Sequence, residues 1–283
     1  MTLLIDSLLD DIVTRALAED LAGGDLTTEA TIGPDERALG KAVAHSPLVV
    51  AGGDVFARAF WGVDRSLRVE RLKADGERAQ PGEVLFVVEG SARSILFGER
   101  TALNFVQRLS GVATLTRRYV DALPAGSKTR IADTRKTTPG LRALERHAVR
   151  AGGGFNHRND LGSAVLIKDN HIVAAGGIRP AIERARAYAP HTTRIEIEVE
   201  TLSGLDQALS AGADVILLDN FEDADLEQAL AHTHGRAVLE VSGGVTLDRI
   251  ARLGAIGVDV ISVGALTHSA PAADIGLDLE ALA

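Results

Sequence analysis

Positively charged residues cluster in the middle of a chain that is acidic overall. Three segments carry them: residues 133–140 (DTRKTTPG), 152–158 (GGGFNHR) and 166–171 (LIKDNH). From Arg135 to His171 there are seven Lys or Arg residues against three carboxylates, a local balance of +4, whereas the 283-residue chain has a formal net charge of −9. A cationic cluster in an anionic protein predicts a focused site for a small anionic ligand.

The basic residues of these segments suit carboxylates or phosphates, because Arg offers a planar pair of donors and Lys a mobile point charge. Four of them could together bind a substrate with two acidic groups: Arg135, His157, Arg158 and Lys168. Three others recur four residues apart on a predicted helix, where we expect solvated surface positions: Arg142, Arg146 and Arg150. The glycines of residues 152–154 predict either a mobile loop that closes the pocket or a simple turn.

Carboxylates are concentrated later in the chain. In residues 195–200 (IEIEVE) apolar side chains alternate with glutamates, so one face of the predicted strand is acidic. If that face points into the mouth of a barrel, Glu198 and Asp219 could hold a divalent cation such as Mg²⁺, which needs few carboxylates when substrate phosphates also bind it. For Glu196 and Glu200 we expect pairing with surface cations.

The second half of the chain repeats a strand followed by a helix. Successive strand ends at Glu198, Asp219, Ser242 and Gly264 are 21, 23 and 22 residues apart. Near-constant spacing at the length of one βα unit predicts parallel strands joined by right-handed crossovers. Two upstream segments predict further strands of the same sheet: residues 129–133 and 164–168. Six strands without a dinucleotide-binding fingerprint favour a barrel or partial barrel over an open sheet.

Small residues follow the last two strands of the repeat: Ser242, Gly243, Gly244, Val263 and Gly264. At this place in the strand order, barrels often bind phosphate through backbone N–H groups and the start of a helix. Because glycine lets the backbone approach a ligand closely, these turns predict a phosphate site.

The first half of the chain has a different sequence pattern from the second half. Short β-prone runs at residues 39–43, 67–72 and 84–88 are separated by Gly and Pro pairs, which predicts a β-rich N-terminal unit. Apolar residues at helical spacing between Ile5 and Leu17 predict an amphipathic first helix. Residues 94–123 predict one long or two shorter helices leading into the second half, and we place a domain boundary near residue 105.

Composition excludes several classes of function. A pI near 5.4 disfavours nucleic acid as a partner, because that binding needs a broad basic face. The absence of cysteine excludes disulfides and thiolate metal sites and fits a cytoplasmic protein. No apolar run approaches the roughly 18 residues that span a bilayer, and the acidic first twenty residues do not have the pattern of a secretory signal, so we expect no membrane partner.

Four motifs together resemble those of the quinolinate phosphoribosyltransferase family: residues 134–140 (TRKTTPG), 152–158 (GGGFNHR), 166–171 (LIKDNH) and 218–221 (LDNF). Further segments agree in order and approximate spacing: residues 19–28, 99–104 (ERTALN), 242–244 (SGG) and 263–268 (VGALTH). The resemblance spans nearly the whole chain.

The resemblance implies an α/β fold with an N-terminal α/β sandwich domain, residues 1–105 joined by the C-terminal segment 268–283, and an incomplete α/β barrel of parallel strands, residues 106–267. It also implies a homodimer in which Arg100 completes the active site of the neighbouring subunit.

By the same resemblance, quinolinate is bound by Arg135, His157, Arg158 and Lys168. Phosphoribosyl pyrophosphate and its Mg²⁺ are bound by Lys136, Glu198 and Asp219. The turns that bind the 5′-phosphate contain Ser242, Gly243, Gly244 and Gly264. Thr134, next to Arg135, and Val263, next to Gly264, also belong to the substrate-binding motifs. Lys136, Lys168, Glu198 and Asp219 are the candidate catalytic residues.

The implied reaction makes nicotinate mononucleotide, pyrophosphate and CO₂ in de novo NAD biosynthesis. Three alternatives remain open at this stage. A lysine at a barrel strand end, here Lys168, could form a Schiff base as in an aldolase or lyase. The chain could also be a paralogue of the same superfamily, either the molybdenum-associated relative or a nicotinate-specific transferase, or a non-catalytic anion-binding protein.

Overall fold

The computed structural model describes residues 6–282, which fold into eleven α-helices and twelve strands. In chain order, the elements up to the long central helix are α1 Asp6–Leu21, α2 Leu26–Thr31, β1 Arg37–Ala44, β2 Leu48–Val49, α3 Gly53–Val63, β3 Arg68–Arg71, β4 Arg78–Ala79, β5 Val84–Ser91 and α4 Ala92–Asp121. They are followed by β6 Arg130–Ala132, α5 Arg142–Ala151, β7 Val165–Ile167, α6 Asp169–Ala175, α7 Ile178–Tyr188, β8 Ile195–Val199, α8 Leu202–Ser210, β9 Val215–Asp219, α9 Asp223–Thr233, β10 Val238–Ser242, a 3₁₀ turn Leu247–Arg249, α10 Ile250–Ile256, β11 Val260–Ser262, α11 Ala265–His268 and β12 Ile275–Leu282. Residues 94–121 thus belong to one helix and not to two.

The described chain divides into two compact units. The first comprises residues 6–117, 137–153 and 265–282, and the second comprises residues 118–136 and 154–264. The sequence-based domain ranges, 1–105 with 268–283 and 106–267, stay a prediction. The structure confirms the predicted fold class, because it pairs a small antiparallel sheet with a six-stranded parallel sheet.

The first unit is built on a four-stranded antiparallel sheet with the order β12-β1-β5-β3. The C-terminal strand β12 pairs with β1 along its whole length. Three aromatic side chains form the centre of the core: Phe86 stacks on Phe56 at 4.5 Å between ring centroids, and Phe60 meets Phe56 edge-on at 5.1 Å. Helix α1 packs against α3, as its predicted amphipathic pattern requires, although Ile5 of that pattern lies outside the described residues.

Helix α5 of the first unit carries the three arginines for which surface positions were expected. Arg142, Arg146 and Arg150 are half-buried, and Arg142 Nε donates to Thr137 Oγ1 at 3.0 Å. The glycines that follow end this helix, and a Cβ added to Gly152 would lie 2.5 Å from Ala113 O. Residues 152–153 form a turn, and the loop that closes the pocket stays a prediction.

The second unit is a six-stranded parallel sheet with the order β6-β11-β10-β9-β8-β7. The strands are mostly apolar apart from glutamates on β8 and β10, and helices α6 to α10 connect β7 through β11, as expected for a parallel sheet. Strands β6 and β7 are the two edges. The segment that begins at Phe155 lies along β6: Phe155 N–H donates to Ile131 O at 2.8 Å, and Asp133 N–H donates to Phe155 O at 3.0 Å.

No helix among the described residues has both the length and the apolar composition needed to cross a membrane.

A buried carboxylate in the first unit makes stability depend on pH. Asp75 accepts hydrogen bonds from His147 Nε2 at 2.7 Å and from the backbone N–H groups of Gly52 and Gly53 at 3.1 Å. Burial raises the pKa of Asp75, but these hydrogen bonds outweigh burial and hold the pKa below its ordinary value. The stabilisation is therefore fully present above the unfolded-state pKa of about 3.9 and is lost as the pH falls through the folded-state value.

We expect the free energy of unfolding, measured by urea titration between about pH 7 and pH 3, to fall less steeply with decreasing pH in Asp75→Asn than in the unaltered protein. The matched control is Asp35→Asn, which changes an exposed carboxylate of the same unit and should retain the full pH dependence. An unchanged pH dependence in Asp75→Asn would contradict this assignment.

Candidate active site

A pocket of about 410 Å³ lies at the carboxyl ends of the parallel strands in the second unit. Every strand of the sheet contributes to its wall, either from its last residues or from the loop that follows, which is the arrangement of a barrel mouth. Its lining residues are Thr134, Arg135, Lys136, His157, Arg158, Leu166, Lys168, Glu198, Leu217, Asp219, Glu240, Ser242, Gly243 and Ser262.

Ten residues predicted from sequence meet in this pocket, and four predicted residues are placed elsewhere. Arg100 is exposed on α4 in the first unit. Val263 is buried and donates its N–H to Ala132 O at 2.9 Å. Gly244 and Gly264 lie in the turns after β10 and β11. No structural observation tests the functional roles of these residues, which stay predictions.

The acidic side of the pocket is formed by Glu198 and Asp219. Glu198 accepts a hydrogen bond from Lys168 Nζ at 2.5 Å, and Asp219 accepts one from Asn220 Nδ2 at 2.9 Å. Burial and the negative charge of Glu198 raise the pKa of Asp219, against the charges of Lys168 and Lys136, which lower it. Two carboxylates that repel each other across a pocket attract a cation.

The cationic side of the pocket brings two guanidinium groups together. Burial lowers the pKa of Arg158, the positive charge of Arg135 lowers it further, and the charges of Glu196 and Asp160 oppose that shift. Arg158 Nη1 donates to Ala164 O at 3.1 Å, which fixes one end of the guanidinium. Because like charges are held close together here, an anionic ligand would relieve their repulsion.

His157, which precedes Arg158 in the chain, contacts two buried carboxylates. Its Nε2 lies 3.2 Å from Glu196 Oε1 and 3.4 Å from Glu240 Oε1. The surroundings are desolvated, which opposes a charged ring, but the two carboxylates raise the pKa of His157 to about 10. The N–H of Arg158 points at Nδ1 at 2.8 Å, so a second ring proton would displace that hydrogen bond.

The three groups of this cluster, His157, Glu196 and Glu240, have ligand atoms within 4.8 Å of one another, as a metal site would need. Nε2 is at hydrogen-bond distance from Glu196 Oε1, which requires a proton between the two atoms, and Glu240 Oε1 at 3.4 Å is at ion-pair distance without a hydrogen bond. We therefore interpret the cluster as an ion-pair network. The expected pairing of Glu196 with surface cations is wrong, because this side chain points into the barrel and is 6% exposed.

Three residues that sequence reasoning did not assign to the site support it: Asp133, Glu196 and Glu240. Asp133 is fully buried, and its carboxylate accepts hydrogen bonds from Asn156 Nδ2 at 2.6 Å and from the His157 N–H at 2.7 Å. Glu240 stands in the middle of the apolar strand β10, two residues before Ser242. A charged residue on the same strand face as a predicted site residue is the signal that could have identified it.

The turn after β10 passes close to the carboxylates. Gly243 has a φ of +82°, and a Cβ added there would collide with Asn220 Oδ1 and lie 2.7 Å from Asp219 Oδ1. Gly244 has a φ of +56°, and its added Cβ would meet no atom within 4 Å. Both positions are in the left-handed region, so an alanine at either one costs about 1 kcal/mol of backbone strain, but steric conflict arises only at Gly243.

We expect Gly243→Ala to raise the KM for the phosphate-bearing substrate at least about tenfold, equivalent to roughly 1.4 kcal/mol, because the turn must move away from Asp219. Gly244→Ala is the matched control for strain and should change this KM much less. Steady-state kinetics of both variants, with thermal unfolding to compare their stability, would measure the difference. An equal increase in KM for the two variants would show that backbone strain, and not the contact with Asp219, weakens substrate binding.

Known proteins match this chain over most of its length. Two family models match: "Quinolinate phosphoribosyl transferase, N-terminal domain" over residues 25–110 and "Quinolinate phosphoribosyl transferase, C-terminal domain" over residues 112–278. The chain is 46% identical to the nicotinate-nucleotide pyrophosphorylase [carboxylating] of Mycobacterium leprae, with 95% of this chain and 96% of that protein covered. It is 41% identical to the probable enzyme of the same name from Bacillus subtilis, with 96% and 93% covered.

Solved structures give the same result. The crystal structure of NadC from Streptococcus pyogenes superposes with a TM-score of 0.95 at 40% identity and covers 100% of both chains. Among the alternatives that the sequence left open, these matches decide against the aldolase and the paralogues. The chain therefore belongs to the quinolinate phosphoribosyltransferase family.

Proposed function

We propose that this protein transfers the phosphoribosyl group of phosphoribosyl pyrophosphate to quinolinate with loss of a carboxylate, giving nicotinate mononucleotide, pyrophosphate and CO₂ in de novo NAD biosynthesis. Family membership supports the reaction. The observation that carries the assignment to this pocket is the meeting of a cationic wall, with Arg135 and Arg158, and an acidic wall, with Glu198 and Asp219, in one cavity.

The acidic wall fits a magnesium site. Glu198 and Asp219 offer carboxylate oxygens, the ligands that Mg²⁺ prefers, and burial together with the negative charge of Glu198 raises the pKa of Asp219. We propose that these two residues hold Mg²⁺ in part through the substrate, as few protein ligands suffice when phosphates complete the coordination. When bound, the ion would neutralise charge on the departing pyrophosphate.

The chain's own residues account for the remaining demands of the transfer. Lys136, exposed at the pocket rim, can neutralise the leaving pyrophosphate as the pyridine nitrogen attacks C1 of the ribose. The negative charges of Glu198 and Asp219 stabilise the positive charge that develops on the sugar. Ser242 and Gly243 stand where a 5′-phosphate would meet backbone N–H groups.

The decarboxylation follows from the first step. Once ribosylated, the ring nitrogen is cationic, so breaking the bond to the adjacent carboxylate releases CO₂ and leaves an electron pair on carbon that this charge stabilises. A proton then adds to that carbon. The protein needs mainly to orient the dicarboxylate, a role that we propose for Arg135, His157, Arg158 and Lys168. We further propose that Lys168, which already contacts Glu198, lies at the departing carboxylate.

The proposal is tested by incubating the protein with quinolinate and phosphoribosyl pyrophosphate, with and without Mg²⁺, and measuring CO₂ release and nicotinate mononucleotide. Nicotinate serves as the competing substrate. We expect Mg²⁺-dependent turnover of quinolinate and none of nicotinate. Absence of turnover by folded protein that still binds quinolinate would instead support an anion-binding protein.

A further inference from the structure

The cluster of His157, Glu196 and Glu240 lies at the floor of the pocket and restricts the position of the imidazole ring. The two carboxylates come from β8 and β10, which are separated by β9 in the sheet, and both reach the same ring nitrogen. They are 6% and 4% exposed. If the ring turned away, Glu196 would lose a buried hydrogen-bond donor and Glu240 would lose its ion-pair partner, and a buried carboxylate left without its partner is costly.

The backbone on either side of this ring is fixed as well. Asp133, which follows β6, accepts hydrogen bonds from the His157 N–H and from the Asn156 side chain. The segment that carries Arg158 into the pocket is therefore held at its backbone by Asp133 and at its side chain by the two glutamates. Displacement of the ring would displace Arg158 with it.

The charges of the cluster also act on the arginines of the pocket. An ion-pair network in a protein interior is weak evidence for stability, because apolar side chains of similar volume often stabilise a core as well or better. Here, however, the negative charge of Glu196 opposes the repulsion between Arg135 and Arg158. A second cavity of about 680 Å³, lined by residues at the amino ends of the strands, shares His157, Arg158 and Glu240 with the pocket, so the cluster separates the two cavities.

We propose that Glu240, acting with Glu196, is a positioning residue for the quinolinate half of the reaction: it holds the imidazole of His157 and so sets the position of Arg158 for the dicarboxylate. The proposal rests on the function proposed above. Loss of this contact should affect the two substrates differently. The phosphoribosyl side of the pocket is built from Glu198, Asp219 and the turn after β10, and it does not depend on this contact.

The test is Glu240→Gln, which keeps the shape of the side chain and removes its charge. We expect the KM for quinolinate and the Kd for quinolinate, measured by calorimetry without the second substrate, to rise about tenfold or more, because a buried charged group loses its ion-pair partner. The KM for phosphoribosyl pyrophosphate should stay within about twofold of the unaltered value. The matched control is Asp259→Asn, because the Asp259 carboxylate bonds the N–H of Leu239, the neighbour of Glu240 on β10, at 2.8 Å.

Three results would overturn the proposal: quinolinate constants unchanged in Glu240→Gln, equal increases in KM for both substrates, or the same increase in Asp259→Asn. If circular dichroism shows that Glu240→Gln does not fold, Glu240→Asp replaces it, since the shorter side chain retains the charge but withdraws from His157. It should then weaken quinolinate binding selectively, and wild-type binding by a folded Glu240→Asp would equally overturn the proposal. Failure of the unaltered protein to turn over would instead count against the proposed function.

Discussion

Asp219→Asn lowers the turnover number for quinolinate by about a thousandfold, the effect expected when a group that stabilises charge in the transition state is removed. Asp219 ends β9, and its carboxylate faces Glu198 across the acidic wall of the pocket. The amide retains the shape and one oxygen of the side chain. Without the negative charge it cannot stabilise the positive charge that develops on the ribose or help Glu198 to bind a divalent cation. The Mg²⁺ concentration that gives half-maximal rate should therefore also increase.

Single-turnover kinetics at several Mg²⁺ concentrations would measure both effects. The control is Glu222→Gln, three residues further along the chain, which changes an exposed carboxylate and should leave rate and Mg²⁺ dependence unaltered. A variant Asp219→Asn that retains the normal Mg²⁺ dependence would remove this residue from the proposed metal site, and one that retains full turnover would remove it from the catalytic residues.

Mixing two inactive variants, Arg100→Ala and Lys136→Ala, restores about a quarter of the unaltered activity if subunits exchange randomly in a twofold dimer. Arg100 belongs to the first unit and is exposed, whereas Lys136 lies at the pocket of the second. If the arginine serves the neighbouring subunit, each mixed dimer has one intact site and one site with both lesions. Half of the dimers are then mixed, and half of their sites are intact.

The matched control is a mixture of Lys136→Ala and Asp219→Asn. Both changes lie in the same pocket, so every site of every mixed dimer carries one lesion and no activity should return. Mixed dimers are verified by differently tagged subunits and mass spectrometry. Verified Arg100→Ala and Lys136→Ala heterodimers without activity would contradict the shared site.

Much of the fold and the pocket could be predicted from local sequence patterns. Strand-to-strand intervals of 21 to 23 residues predicted the parallel sheet, because each βα unit needs a nearly constant length of chain. The alternation of residues 195–200 predicted a strand with one acidic face, because side chains of a strand alternate between its two faces, and Glu198 of that face lines the pocket. Carboxyl ends of parallel strands share one edge, which is why residues far apart in sequence could be expected in one pocket.

Tertiary structure alone decided the support beneath that pocket. Glu240 and Glu196 meet at His157 because the sheet order places β8 and β10 on either side of β9, and no local pattern encodes which two inward carboxylates will contact the same histidine. Asp133 likewise can accept hydrogen bonds from Asn156 and His157 only when residues from Phe155 onward lie along β6. Periodicity determines which face a side chain occupies, but the partner of a buried charge depends on register and on chain segments brought together by folding.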